Sequence, residues 1–154
     1  MKILLAVDSS EYSSAAITEL AERPWPANTV VRVLSVVEPI TPPAAELWYD
    51  AGGSLDRVQQ QMKKRAEDLT AGASKQLQGK GLEIETAVRD GDPRSTIVDE
   101  AKAWSSDLIV VGSHGYTGIQ RLVLGSVALF VVSHAPCSVE VVKRKTSTGD
   151  GDDH

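Results

Sequence analysis

A single cysteine, Cys137, is present in the 154 residues of the chain. No internal disulfide can therefore form, and one unpaired thiol suits a reducing cytosol better than an oxidising compartment. Its ordinary role is a packed side chain. Long apolar runs are missing too. Residues 3–7 are apolar but are cut off by Asp8, which is too short for the core of a secretion signal and far too short to cross a bilayer. A soluble, cytoplasmic protein without a membrane partner is the expectation. Basic charge is also scarce. Sixteen Lys and Arg against twenty-one Asp and Glu leave a formal charge of −5, and the one basic run, Lys143-Arg144-Lys145, reads as the end of a strand, so no nucleic-acid partner is expected. The three histidines are scattered and form no cluster with ligand spacing, so no metal held by protein ligands alone is expected.

What the chain does contain is an alternation of short apolar runs with amphipathic stretches. Residues 2–7 read as a strand covered on both faces, and residues 30–37 as a second one rich in β-branched side chains. Between them, Asp8 with Glu11 three residues later looks like a helix start ahead of Ala16, Ile17, Leu20 and Ala21. Pro24 and Pro26 stop that helix. Ile40 to Ser54, with two prolines and two glycines, reads as a long loop with room for one helical turn over residues 45–49. Leu55, Val58, Met62, Ala66, Leu69, Ala73 and Leu77 then trace one apolar stripe on a long helix, ended by Gly79 and Gly81.

Leu82, Ile84, Thr86 and Val88 alternate with wetter positions, the pattern of a strand near a sheet edge. Ile97, Ala101 and Trp104 mark the next helix, with Pro93 or Arg94 at its first position. Residues 108–111 form a short buried strand, residues 127–132 the last helix, and Cys137 to Val142 the last strand. Strands alternating with helices predict an α/β fold with one parallel, doubly wound sheet and right-handed crossovers. Ligands in such sheets sit beyond the strand carboxyl ends, so Asp8 and Gly112, each closing a strand, are candidates for one shared site. Residues 1–145 are expected to form one domain, followed by an acidic disordered tail over residues 146–154.

The stretch VVGSHGYTGIQRLVLGSV, residues 110–127, carries the chemistry. Glycine lets a backbone approach a ligand closely, and a helix beginning near Ser126 adds unpaired N–H groups and a partial positive charge, so the loop suits phosphate. Its spacing is Gly112, two residues, Gly115, nine residues, then Gly125-Ser126. That is neither G-x-G-x-x-G nor the P-loop pattern, and no lysine stands at the phosphates. An aspartyl phosphatase is disfavoured because Ser10 stands where a second aspartate would be needed. No nucleophile, base and orienting acid assemble from the strand ends.

The residues GSHG, nine residues and GS, together with an aspartate closing the first strand in ILLAVDSS, resemble the universal stress protein family, in particular its ATP-binding branch. The resemblance extends over nearly the whole chain, through the Gly91-Asp92-Pro93 turn to the VEVVK strand. It implies a Rossmann-like five-stranded parallel sheet of order 3-2-1-4-5 and a homodimer formed through the last strand. It also implies an adenine nucleotide, ATP with AMP or cyclic AMP as alternatives, with Mg2+ or Mn2+ carried on the phosphates. Carried over, the family pattern places adenine against Val36 and near Ala6, Val7 and Asp8, and Gly112 near the ribose. Gly115, Gly125, Ser126 and Val127 would hold the phosphates, with Ser113, His114 and Arg121 as additional contacts. Each has an ordinary alternative: Asp8 as a helix cap, His114 as loop packing, Arg121 as a solvated side chain, Gly118 as loop geometry. The activity expected is nucleotide-dependent regulation of a stress response; a slow ATPase or phosphotransferase, in which Ser113, His114 or Ser126 takes part, and a nucleotide-free structural dimer are the alternatives.

Overall fold

The computed structural model of the chain describes residues 1–40, 53–114 and 124–144. The segment around residues 45–49, Gly115, Gly118, Arg121 and the tail from residue 146 lie outside the described residues. Among the described residues five strands and four helices alternate: β1 (Lys2–Ala6), α1 (Glu11–Glu22), β2 (Val30–Val37), α2 (Ser54–Leu77), β3 (Glu83–Asp90), α3 (Pro93–Trp104), β4 (Leu108–Gly112), α4 (Ser126–His134) and β5 (Ser138–Val142). The strands form one parallel sheet of order β3-β2-β1-β4-β5, as the family resemblance implies.

The unbroken apolar run of β1 has a plain cause. Ile3, Leu4 and Leu5 are all fully buried because β1 is the central strand and both of its faces are covered. Ile3 and Leu5 join Ala16 and Leu20 of α1 and Ala73 and Leu77 of α2 in one core layer. Leu4 joins Ile97, Ala101, Ile109, Ala128 and Val131 in the other. β3, at the sheet edge, keeps only part of the alternation read from its sequence: Ile84 packs against the first layer and Glu83 is exposed, but Thr86 is exposed while Glu85 and Ala87 are half-buried, because both faces of the strand are partly covered.

Helix starts follow side-chain chemistry, with one shift from expectation. The cap of α1 is Ser10, not Asp8: the Ser10 hydroxyl accepts from the Ser13 N–H at 3.2 Å. Asp8 sits two residues earlier and closes a turn, its Oδ1 accepting from the Ser10 N–H at 2.8 Å. A short polar side chain can satisfy its own backbone two residues on, so Asp8 and Ser10 compete for the cap, and the residue nearer the first helical turn takes it. In α3, Asp92 is the cap, and of the two residues the sequence offers for the first position Pro93 takes it.

In α2 the stripe is only partly used. Ala66, Ala73 and Leu77 are buried and Thr70 joins them, whereas Val58 is 43% exposed. The helix is longer than the sheet it covers. Twenty-four residues span about 36 Å, against about 26 Å for the eight-residue strands β2 and β3. The helix stops at Gln78, and Gly79 follows with φ +76°, a left-handed conformation that glycine adopts without a steric cost.

A polar cluster that the apolar pattern did not announce lies under α3. Glu100, 9% exposed, accepts from Arg32 at 2.9 Å and from Arg89 at 3.1 and 3.2 Å. The Arg32 guanidinium also holds Glu85 and lies 4.3 Å over the Trp104 ring. Among the described residues no helix is long and apolar enough to cross a membrane.

Candidate functional site

The sheet order reverses between β1 and β4: the connection from β1 leads to β2 on one side, and that from β4 leads to β5 on the other. Their carboxyl ends therefore diverge and leave a crevice. A cleft of about 740 Å³ opens there, bounded by Ala6, Val7 and Asp8 after β1, Val36 and Glu38 at the end of β2, Gly112 and His114 at the end of β4, and Gly125, Ser126 and Val127 at the start of α4. That volume is in the range of sites for small organic ligands. The structure thus brings together every described residue assigned to the site from the sequence, except that Ser113 stands behind the wall. A second hollow, about 500 Å³, lies along the outer face of α2 between Arg57, Lys64, Arg65 and Asp68, with no opposing wall among the described residues.

At the β1–β2 end the cleft offers main chain beyond the end of the ladder, without a partner strand on that side among the described residues. Val7 N–H donates to the Leu34 carbonyl at 2.8 Å, and the β1–β2 ladder ends at the Ala6–Leu34 pair. Val36, two residues on, points its N–H and C=O the same way, past the end of β1 and into the cleft. Asp8 stands beside it, with one carboxylate oxygen engaged by Ser10 and the other without a partner among the described residues.

At the β4–α4 end the geometry assigns different duties to the glycines. A Cβ on Gly112 would lie 2.8 Å from the carbonyl carbon and from the Cβ of Tyr12, and 3.0 Å from the Tyr12 carbonyl oxygen. Glycine here lets the first turn of α1 pack onto β4, whatever fills the cleft. Ser113 is a strut: 2% exposed, it donates its N–H to the Val142 carbonyl at 2.9 Å and accepts the Gly125 N–H on its own carbonyl at 2.8 Å. The Gly125 N–H is thereby committed to fixing α4 against β4. The next three, those of Ser126, Val127 and Ala128, belong to the first helical turn and have no intrahelical acceptor. α4 has no side-chain cap, whereas Ser10 caps α1 and Asp92 caps α3. Its N-terminal donors and positive dipole end therefore meet no side-chain cap among the described residues, and Gly125, Ser126 and Val127 border the cleft.

His114 lines the cleft with Nδ1 3.0 Å from the Ser113 hydroxyl and its ring 4.8 Å from that of Tyr12. Tyr12 thus touches both Gly112 and His114, a part that nothing in its local pattern signals. Met62 and Arg65 of α2 also line the cleft; in the sequence Met62 read only as part of the helix stripe, and nothing singled out Arg65. Just outside, the Arg94 side chain hydrogen-bonds Asp92 and holds its carboxyl below the usual carboxylate range, keeping the α3 cap ionised. Among the described residues no three His, Cys, Asp or Glu side chains come together as a metal site.

These features define a doubly wound parallel α/β domain with a ligand cleft at its strand-order reversal, walled by an open helix N-terminus. The model of the universal stress protein family matches residues 1–143, and the chain belongs to that family. It is 32% identical over 143 residues to the universal stress protein MJ0531 of Methanocaldococcus jannaschii, a match covering 93% of this chain and 82% of the relative. Among solved structures it is similar to the hypothetical protein MJ0577, with 27% identity, a TM-score of 0.80, and 95% of this chain and 97% of that one covered. A universal stress protein family protein from Arabidopsis thaliana, solved with AMP bound, shares the fold at 22% identity and a TM-score of 0.69, with 99% and 97% covered.

Proposed function

We propose that the protein binds an adenine nucleotide in this cleft, ATP foremost with AMP or cyclic AMP in its place, and acts as a nucleotide-dependent switch in a cytoplasmic stress response. The observation that carries the reading is the pairing of two recognition elements across one cleft. The main-chain N–H and C=O of Val36 suit the hydrogen-bonding edge of a purine, and the N–H groups of Ser126 and Val127 suit a phosphate. The AMP held by the Arabidopsis relative supports it. Gly115 belongs to the same proposal on the family pattern, and Arg121 by its place in the loop between the glycines. A Mg2+ or Mn2+ ion would ride on the phosphates, and a homodimer through β5 would protect its open edge.

Position 126 permits a clean test. Gly125 has φ −60° and ψ 160°, the conformation preferred before proline, and Ser126 is the first helical residue, where proline is tolerated. Ser126→Ala removes the hydroxyl; Ser126→Pro removes the hydroxyl and one N–H without disturbing the helix. Calorimetry should show ATP affinity falling in the order wild type, Ser126→Ala, Ser126→Pro. The last step is about ten-fold or more, since a hydrogen bond to a charged group contributes about 1.5–3 kcal/mol. Absence of adenine-nucleotide binding by the wild type at millimolar concentration would refute the reading.

Binding rather than turnover is favoured by the state of Ser113. Its hydroxyl contacts His114, but the side chain is buried and its main chain is a strut. Phosphate release by purified protein should stay at background and be unchanged in His114→Ala.

A further inference from the structure

α2 contributes a wall to the cleft that neither the glycine loop nor the Asp8–Val36 corner supplies. Its first buried residue is Ala66, twelve positions after its start at Ser54, so about 18 Å of helix precedes the part that packs on the sheet. Met62 and Arg65, three residues apart and hence on one face, stand at that boundary and line the cleft. α2 packs over β2, β3 and α1, whereas Ser126 begins the helix that follows β4. Arg65 therefore sits at the Val36 end of the cleft, away from the phosphate donors. It makes no ion pair among the described residues, whereas the neighbouring Lys64 is held by Asp68 at 3.1 Å. Of the charged side chains on the described lining, Asp8 and Glu38 are carboxylates and Arg65 is the cation.

Building on the nucleotide reading above, we infer that Arg65 is a base-recognition residue: its planar guanidinium, supported by the Met62 thioether, lies over the face of the purine whose edge meets Val36. A guanidinium stacks on an aromatic face through its plane and its charge together. A cation at this end contributes to base affinity and leaves the phosphates to α4.

The test is Arg65→Ala titrated with ATP, AMP and adenosine, with Lys63→Ala as a control that removes the same charge from elsewhere on the helix. Stacking on the base predicts that Arg65→Ala weakens all three ligands by a common factor, about two- to thirty-fold. Lys63→Ala should change none of them. Arg65→Lys, which keeps the charge and loses the plane, should restore binding only in part. A loss that grows from adenosine to AMP to ATP would show a phosphate contact instead and overturn the inference, and so would unchanged affinities. Absence of nucleotide binding by the wild type would fall on the functional reading rather than on Arg65.

Discussion

Gly112 separates two explanations of a glycine signature. If its only duty were to admit a ligand, adding a methyl group would leave the nucleotide-free protein as stable as before. The structure predicts otherwise. The new Cβ would stand 2.8 Å from two carbon atoms of Tyr12, one of them main chain, while carbon atoms in favourable contact lie about 3.5–4.0 Å apart. Either the first turn of α1 or the end of β4 must retreat by about 0.7 Å. The turn is held by the Ser10 cap and by the Ser13 hydroxyl, which accepts from the Asp8 N–H at 3.0 Å; Ser113, next to Gly112, donates to the Val142 carbonyl. Neither side gives way without losing a hydrogen bond. Forced overpacking of this kind costs about 1–3 kcal/mol, which in a domain of this size lowers the melting temperature by roughly 2–12 °C. Gly112→Ala should therefore melt earlier than wild type in nucleotide-free buffer, by calorimetry or circular dichroism. Adding Tyr12→Ala should not restore the loss, because alanine keeps both the carbonyl carbon and the Cβ that clash. A Gly112→Ala protein as stable as wild type, or a full rescue by Tyr12→Ala, would refute the close-approach argument.

Ser10→Ala removes the α1 cap and should lower unfolding free energy in urea by about 1 kcal/mol; Asp8→Ala, which leaves the cap in place, should cost less. Glu100→Ala leaves the Arg32 and Arg89 guanidinium groups without their shared carboxylate and should cost about 1–3 kcal/mol, the upper end being limited because Arg89 is half exposed. Combining it with Arg32→Met should cost less than the sum of the two single changes, and strict additivity would show that the pair does not interact. Burial first, and the Asp107 charge second, push the Cys137 thiol up. The protonated form is then the one the fold favours, so its contribution to stability is whole below the thiol pKa of the unfolded chain and is lost as pH rises through the folded value. Iodoacetamide should alkylate native Cys137 with a pH midpoint above that of the unfolded chain, and a midpoint at or below it would contradict the assignment.

The fold was legible because its strands are short and differ in burial. Ile3, Leu4 and Leu5 read as doubly covered, and the wetter alternation of Ile84 and Val88 read as an edge; both places in the sheet follow from pattern alone. The cap of α1 was misplaced by two residues because Asp8 and Ser10 can each hydrogen-bond a nearby N–H, and only the path of the chain decides which one the helix uses. The site was legible in its glycines and at the strand ends, where topology dictates position. Tyr12, Met62 and Arg65 were not, since each belongs to a helix whose local pattern records only which face is apolar. The Gly125 N–H shows the same limit from the other side: glycine spacing marks where a backbone comes close to something, and here that partner is the Ser113 carbonyl.

A chain of net charge −5 would be expected to repel a polyanion, yet the arrangement of donors at the cleft removes most of that objection. Exposed charges farther off than about 8 Å are largely screened at physiological salt, so the groups that decide are those on the cleft wall. The carboxylates on that wall, Asp8 and Glu38, stand at the ends of β1 and β2, the end where Val36 offers main chain to a base, and Arg65 offsets only one of their two charges, whereas α4 presents N–H groups and the positive end of its dipole. Opposite polarities at the two ends give the cleft a direction. A ligand that is neutral at one end and anionic at the other satisfies both, and a nucleotide has that asymmetry. A symmetric dianion would gain at α4 and lose at Asp8. ATP should therefore bind more tightly than inorganic tripolyphosphate of the same charge, and equal affinities in a competition titration would show that the cleft recognises charge alone.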